Sequence, residues 1–258
     1  MIYPCRCGSY DHFLYALNHK HKCCIYKVSC GGSIYASPCI DILKDMLYVG
    51  STRGLVTAIK LEVDPYDIVW QYEAGAPVFG SLVLVCDVGN VVCCLVNGDV
   101  IVLTPRGDVY WKATVGGPVF AGASISSVLP SQVLVCSRDG IIYSFDKRDG
   151  SLLAKFEIGD PITASAFVDE HLVLTSESTQ LSDRLACVCS SSGRVHVLRI
   201  KSTPRVKDDE TSEESSLVQG FAERDLPGEI FSSPVMIEGR MFVGCRDDYL
   251  HCLEVFFC

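Results

Sequence analysis

The chain has 258 residues, 48% of them hydrophobic and 21% charged, which supplies the core of one large all-β domain or two ordinary domains. Its formal net charge of −9 speaks against a nucleic-acid partner, which demands clustered Lys and Arg. No run of about 18 apolar residues occurs, so no membrane-spanning helix is expected, and MIYPCRCGSYDHF does not read as a secretory signal because Pro4, Arg6, Asp11 and His12 interrupt any apolar stretch.

Residues 1–30 carry two strand-like runs, HFLYALN and CCIYKVSC. From there the chain repeats itself. Residues 31–74 open on GGSIYASP and continue with an apolar strand, MLYVGS, a turn at Arg53-Gly54, an alternating strand, LVTAIKL, and IVWQYEAG. Residues 75–115 open on GAPVFGS and pass through VVCCLV, Asn97-Gly98, DVIVLT, Arg106-Gly107 and VYWKATVGG. Residues 116–158 open on GGPVFAGA, followed by QVLVCS, Asp139-Gly140, IIYSFD, Asp149-Gly150 and LLAKFEIGD. Residues 159–227 open on GDPITASA and contain LACVCS, Ser192-Gly193 and RVHVLRI. Residues 228–258 open on GEIFSSP, reach MFVGC and YLHCLEV, and stop.

The β-branched residues of the opening motif, Ile34, Val78, Val119, Ile162 and Ile230, are spaced by 44, 41, 43 and 68. An outer-strand landmark, Tyr26, Trp70, Trp111 and then Ala154, keeps the same period. Four short strands every 40–45 residues or so, with Asn-Gly and Asp-Gly hairpin turns, are the signature of a β-propeller blade. The reading is thus an all-β propeller over residues 1–258. Partial blades at 1–30 and 228–258 flank blades at 31–74, 75–115, 116–158 and 159–227. The two partial blades supply the third strand twice and the second once, so an incomplete ring, an excerpt of a longer propeller, is expected. Small residues at the blade entrance are expected to let inner strands approach, and the tryptophans to pack between blades.

The 68-residue interval implies an insertion. Residues 201–227 are rich in Ser, Thr, Asp, Glu and Pro and lack apolar periodicity, which predicts a disordered surface loop. Its acidic run, Asp208, Asp209, Glu210, Glu213 and Glu214, reads first as a solvated face and second as a docking or phosphorylation site.

The blade pattern resembles the pyrroloquinoline-quinone (PQQ)-like repeat, which builds quinoprotein dehydrogenases and many noncatalytic propellers. CIYKVSCGGSIYASPC and PGEIFSSPVMIEGRMFVGCRDDYLHCLE more closely resemble the C-terminal propeller of the β-alanine-activating enzyme family, also known as aminoadipate-semialdehyde dehydrogenase or acyl-CoA synthetase family member 4. That family joins an adenylation domain, a phosphopantetheine carrier domain and a run of PQQ-like repeats. The resemblance implies a noncatalytic binding module of an acid-activating enzyme, which would hold a protein partner, a carrier domain in cis or the aminoacylated product. The alternatives are a quinone-dependent dehydrogenase propeller and a free-standing interaction propeller. MIYPCRC departs from the pattern, because a clean second strand should precede Gly8-Ser9.

The residues themselves point to no catalytic, cofactor or metal site. No phosphate loop, G-x-S-x-G elbow or H-E-x-x-H helix is present. Ser151 in RDGSLL superficially matches a carrier-domain serine, yet Asp149-Gly150 falls on a predicted hairpin turn. Cys93-Cys94 has the form of the vicinal pair found over quinone cofactors, but adjacent strand residues face opposite sides, so two free thiols and no bound PQQ are expected. His19, His21 and Cys23 alternate like zinc ligands but lack a fourth partner at useful spacing, even with Cys5 and Cys7 nearby. His12, His171, His196 and His251 stand singly among strand residues. The 15 cysteines lie mostly in apolar runs and read as reduced hydrophobes in a cytoplasmic protein.

Overall fold

A computed structural model describes residues 5–61, 66–85, 87–174, 183–201 and 217–256. The acidic run Asp208–Glu214 lies outside them. The described residues form six antiparallel sheets whose strands pair in sequence order, in two compact units, Met1–Ala123 and Ser124–Cys258.

In the first unit, sheet one joins β1 (Cys5–Gly8), β2 (Phe13–Asn18) and β3 (Cys23–Ser29). Sheet two joins β4 (Cys39–Asp41), β5 (Met46–Gly50), β6 (Leu55–Lys60) and β7 (Ile68–Glu73). Sheet three joins β8 (Val83–Val85), β9 (Asn90–Cys94), β10 (Asp99–Leu103) and β11 (Val109–Thr114). The Cys5–Gly8 strand stands where the sequence shows no clean one. Its partner defines it, with Cys5 opposite Leu17 and Gly8 opposite Leu14.

In the second unit, sheet four holds β12 (Gln132–Cys136), β13 (Ile141–Asp146) and β14 (Leu152–Glu157), and its inner strand is reduced to one bridge, Ser124 to Leu134. Sheet five holds β15 (Phe167–Val168), β16 (Arg184–Cys189), β17 (Arg194–Ile200) and β18 (Val218–Asp225). Sheet six holds β19 (Val235–Ile237), β20 (Arg240–Gly244) and β21 (Leu250–Glu254).

The strand β18 corrects the expectation of a disordered loop through residue 227. Val218–Asp225 pairs with β17 along its whole length, and Val218 is buried in the core between sheets four and five. Every other residue of the strand is exposed, so it carries no apolar alternation to read. Its register comes from β17.

Three strands are buried on both faces: β5, β9 and β12 are buried at all five positions. Each core cluster draws on two successive sheets, as where Tyr48, Ala58 and Met46 of sheet two meet Val91, Cys93, Ile101 and Leu103 of sheet three. The turn glycines Gly54, Gly98, Gly140 and Gly193 have φ between 80° and 99°, the region that hairpin turns between twisted strands require and that a side chain disfavours.

The outer strands share a further feature. Each of β3, β7, β11, β14 and β18 is bulged at the same place, where the strand register skips one additional residue, Ile25, Val69, Tyr110, Leu153 or Phe221. The residue after each bulge is the landmark: Tyr26 opposite Ala16, Trp70 opposite Ala58, Trp111 opposite Val102 and Ala154 opposite Ser144. Ala222, opposite Val197, is its fifth instance. A bulge increases local twist and bends the strand; the landmark is buried at Trp111 and half-buried at Tyr26, Trp70 and Ala154, whereas Ala222 stays exposed on β18. Trp70 lies against Gly107 of the next sheet and donates from Nε1 to the Pro105 carbonyl at 2.9 Å. Trp111 is 7% exposed.

Candidate binding face

The opening segments of sheets two and three each join their own sheet to the one before it by two backbone hydrogen bonds. The Ser33 carbonyl accepts from Thr52 N at 2.9 Å on its own sheet, while Ile34 N donates to Ser9 O at 3.0 Å on sheet one. One repeat later the Pro77 carbonyl accepts from Val96 N at 3.1 Å, and Val78 N donates to Ser51 O at 3.1 Å. Val119 N then reaches Leu95 O at 3.3 Å. In the second unit the carbonyls of Pro161 and Glu229 accept from Ser191 N and Arg246 N at 2.8 and 3.0 Å.

With the backbone held this way, the β-branched side chain must point inward. Ile34, Val78, Val119, Ile162 and Ile230 are all buried. For Ile34 and Val78 the room is made by a glycine that ends a strand of the preceding sheet. A Cβ on Gly50 would lie 2.6 Å from Val78 Cγ1, and one on Gly8 would lie still closer to Ile34 Cγ2. Two residues further on, small side chains let the segments touch through their backbones, and Ser37 N donates to Ser81 Oγ at 3.1 Å.

The residue between these buried positions faces outward, and in the first unit it is aromatic. Tyr35, Phe79 and Phe120 form a row that Tyr10, on the β1–β2 turn, extends. Successive ring centroids are 6.1, 5.3 and 5.9 Å apart. Tyr10 is 75% and Tyr35 59% exposed, while Phe79 and Phe120 are half-buried. Rings at such spacings and tilts attract one another and hold a rigid apolar surface with phenol hydroxyls at one end. That surface suits binding by contact. In the second unit the same position is Thr163 and then Phe231, whose ring lies 5.7 Å from the Arg246 guanidinium carbon. A separate apolar recess of about 640 Å³ lies between sheets five and six, lined by Val195, Val197, Phe221, Met241, Leu253 and Phe256 among others.

The other candidate residues are placed by their own sheets. Ser151 sits on the β13–β14 turn, where its N–H donates to Asp149 Oδ1 at 2.8 Å. Cys93 and Cys94 are buried and free on β9, and burial raises the Cys93 thiol far above its ordinary value. Burial likewise pushes the Cys136 thiol up to about 12. Asn18 Oδ1 accepts from the backbone N–H groups of Lys20 and His21, making the His19–Cys23 stretch an exposed turn. His12 is a turn residue with φ of 76°, and His171 N–H donates to the Asp169 carboxylate at 2.9 Å. His196 is buried on β17, and burial lowers its pKa. His251 does not stand singly: it meets Cys245 and Asp247 on the β20–β21 turn. The spacing Cys-x-Asp-x-x-x-His was visible in CRDDYLH, but only the hairpin brings the three together.

Among the described residues, six short antiparallel meanders, five of them preceded by the same opening motif, define a β-propeller. Solved structures agree on the fold: a chain in the crystal structure of the mitotic checkpoint complex matches 98% of this chain and 71% of its own length at a TM-score of 0.71 and 11% identity. BamB from Moraxella catarrhalis matches 85% of this chain and 57% of its own at a TM-score of 0.60 and 17% identity. The family model described as "Beta-alanine-activating enzyme, beta-propeller" matches residues 5–255, and the chain belongs to that family. β-Alanine-activating enzymes are 32% identical over 139 residues in Danio rerio and 24% identical over 290 aligned positions in Drosophila melanogaster, covering 54% and 96% of this chain. The chain spans 10% and 28% of the length of those two relatives. No helix of the described residues is long and apolar enough to cross a membrane.

Proposed function

We propose that the chain is a noncatalytic binding module of a longer acid-activating, adenylate-forming protein, acting in the cytosol and holding a carrier domain in cis against the Tyr10–Tyr35–Phe79–Phe120 row. The aromatic row carries this reading. Tyr35, Phe79 and Phe120 come one from each successive opening segment and Tyr10 from the β1–β2 turn, so the row is rigid before a partner arrives and costs little ordering entropy on binding. Membership of the family and the small share of its relatives that the chain spans support a role inside a larger protein. Free cysteines at every described position suit a reducing compartment.

The test is titration calorimetry of the chain with the phosphopantetheine-loaded carrier domain of the same full-length protein. Tyr35→Ser with Phe79→Ser is expected to weaken binding at least tenfold. Failure of the unmutated chain to bind the carrier domain overturns the assignment. Dye reduction by the chain loaded with PQQ and calcium overturns the noncatalytic reading and favours a quinone-dependent dehydrogenase.

A further inference from the structure

We propose that Cys245, Asp247 and His251 form a binding site for a zinc-class divalent metal ion on the turn between β20 and β21. One donor atom from each, a thiol sulfur, a carboxylate oxygen and an imidazole nitrogen, lie within 4.8 Å of one another. His251 Nε2 is 2.8 Å from Asp247 Oδ2. Zinc bonds of about 2.0–2.3 Å in a tetrahedron place neighbouring donors roughly 3.3–3.8 Å apart, so small side-chain rotations admit the ion.

The hairpin holds the set in place without metal. Cys245 N donates to Tyr249 O at 3.1 Å, and Asp247 Oδ1 accepts from Tyr249 N at 3.2 Å. Asp248 takes the left-handed φ of 68° that closes the turn. His251 lies on β21 directly above, and all three side chains are half-buried. Arg246, the one nearby cation in the turn sequence, is turned to Glu229 at 2.9 Å and to the Phe231 ring. Cys252, the next residue along β21, faces the opposite side of the sheet.

The other repeats show what this turn looks like when it is only structural. The same three places hold Ser9, Asp11 and Tyr15 in sheet one, where Tyr15 Oη donates to Asp11. In sheet four they hold Ser137, Asp139 and Tyr143, with Tyr143 Oη 2.6 Å from Asp139 Oδ2. A hydroxyl, a carboxylate and a phenol satisfy the fold. Sheet six keeps the carboxylate and replaces the two oxygen donors by a thiol and an imidazole. These are the two side chains that borderline metals such as Zn²⁺ prefer. Three protein ligands leave a fourth position for water or for a group on a partner.

On binding, the Cys245 thiol, which donates to the Gly228 carbonyl at 3.2 Å, loses its proton to solvent as the Zn–S bond forms.

The experiment uses the full chain, stripped with a chelator, reduced, and titrated with Co²⁺ and then with Zn²⁺ against a chromophoric competitor. A thiolate-to-cobalt charge-transfer band saturating at one equivalent, displaced by zinc, is expected. Two variants rebuild the metal-free turn of sheet four: Cys245→Ser and His251→Tyr. Each should abolish the band and weaken zinc binding at least 100-fold, while the metal-free thermal midpoint stays within a few degrees of the parent. A band that persists unchanged in both variants assigns the metal to other cysteines and overturns the proposal. So does the absence of any charge-transfer band in the unmutated chain.

Discussion

Gly50 is required by a side chain on another sheet. A methyl group there would meet Val78 Cγ1 at 2.6 Å, so Gly50→Ala is expected to cost about 1–3 kcal/mol, the range for overpacking a filled core. Val78→Ala removes the obstructing atoms, so the double variant should be more stable than the sum of the single losses predicts. A urea double-mutant cycle checks this, and simple additivity would separate the two residues. Trp70 is held by packing on Gly107 and by its bond to the Pro105 carbonyl. Trp70→Ala should cost about 3 kcal/mol, the lower end for large aromatics because the indole is half-buried. Trp70→Phe should cost about 1 kcal/mol for the lost hydrogen bond. Equilibrium denaturation measures both, and a Trp70→Phe variant as stable as the parent would leave the hydrogen bond without a role.

His196 predicts a pH dependence of stability. Its Nε2 is buried without a hydrogen-bond partner, and burial holds its pKa below the ordinary 6.5 despite the opposing charge of Glu223. The folded state therefore keeps the ring neutral where the unfolded chain already takes up a proton. The contribution is fully present above about pH 6.5 and is lost as pH falls from there through the lower folded pKa. His196→Gln should flatten the fall in denaturation midpoint between about pH 7.5 and 5.5. An unchanged slope in the variant would assign the fall to other groups.

At the scale of elements, the outer strands depend on partners and carry little pattern of their own. The bulges beside Tyr26, Trp70, Trp111, Ala154 and Ala222 recur at one place in five outer strands, and the residue that follows is buried or half-buried in all of them but β18, where Ala222 is exposed. Strand β18 shows the consequence for prediction: seven of its eight residues are exposed, so only pairing to β17 reveals it. Removing residues 203–216 spares β18, whereas removing residues 203–221 also takes Val218 from the core and three pairs, Ile200–Val218, Arg199–Gln219 and Leu198–Gly220, from the ladder. The longer deletion should lower the thermal midpoint by roughly 5–10 °C relative to the shorter one, in line with a loss of two to three kcal/mol in a chain of this size. Equal midpoints would show that β18 contributes nothing.

For the whole molecule, the core clusters among the described residues are shared between successive sheets. Leu14 and Val28 of sheet one share a cluster with Leu47, Val49 and Ile59 of sheet two, and Leu185 and Val197 of sheet five share one with Met236 and Met241 of sheet six. Stability then arises at the contacts between successive repeats, as in other repeat proteins. Deleting residues 5–30 should uncover Leu47, Val49 and Ile59, increase binding of a hydrophobic dye and lower the midpoint of the first unit. Retention of the parental midpoint would mean that sheet two is stable alone.

The sequence by itself determined the repeat, its period, the hairpin turns and the five buried opening residues, because each is a local pattern: alternation, a glycine at positive φ, a β-branched residue beside a small one. It also located Trp70 and Trp111 on outer strands. Tertiary structure alone decided the rest. Cys5–Gly8 and β18 became strands through their partners' hydrogen bonds, the rings of Tyr10, Tyr35, Phe79 and Phe120 became one surface through stacking of repeats, and Cys245, Asp247 and His251 became neighbours through a hairpin. Backbone pairing and inter-sheet packing join residues by distance in space, and a reading of periodicity along the chain does not contain that distance.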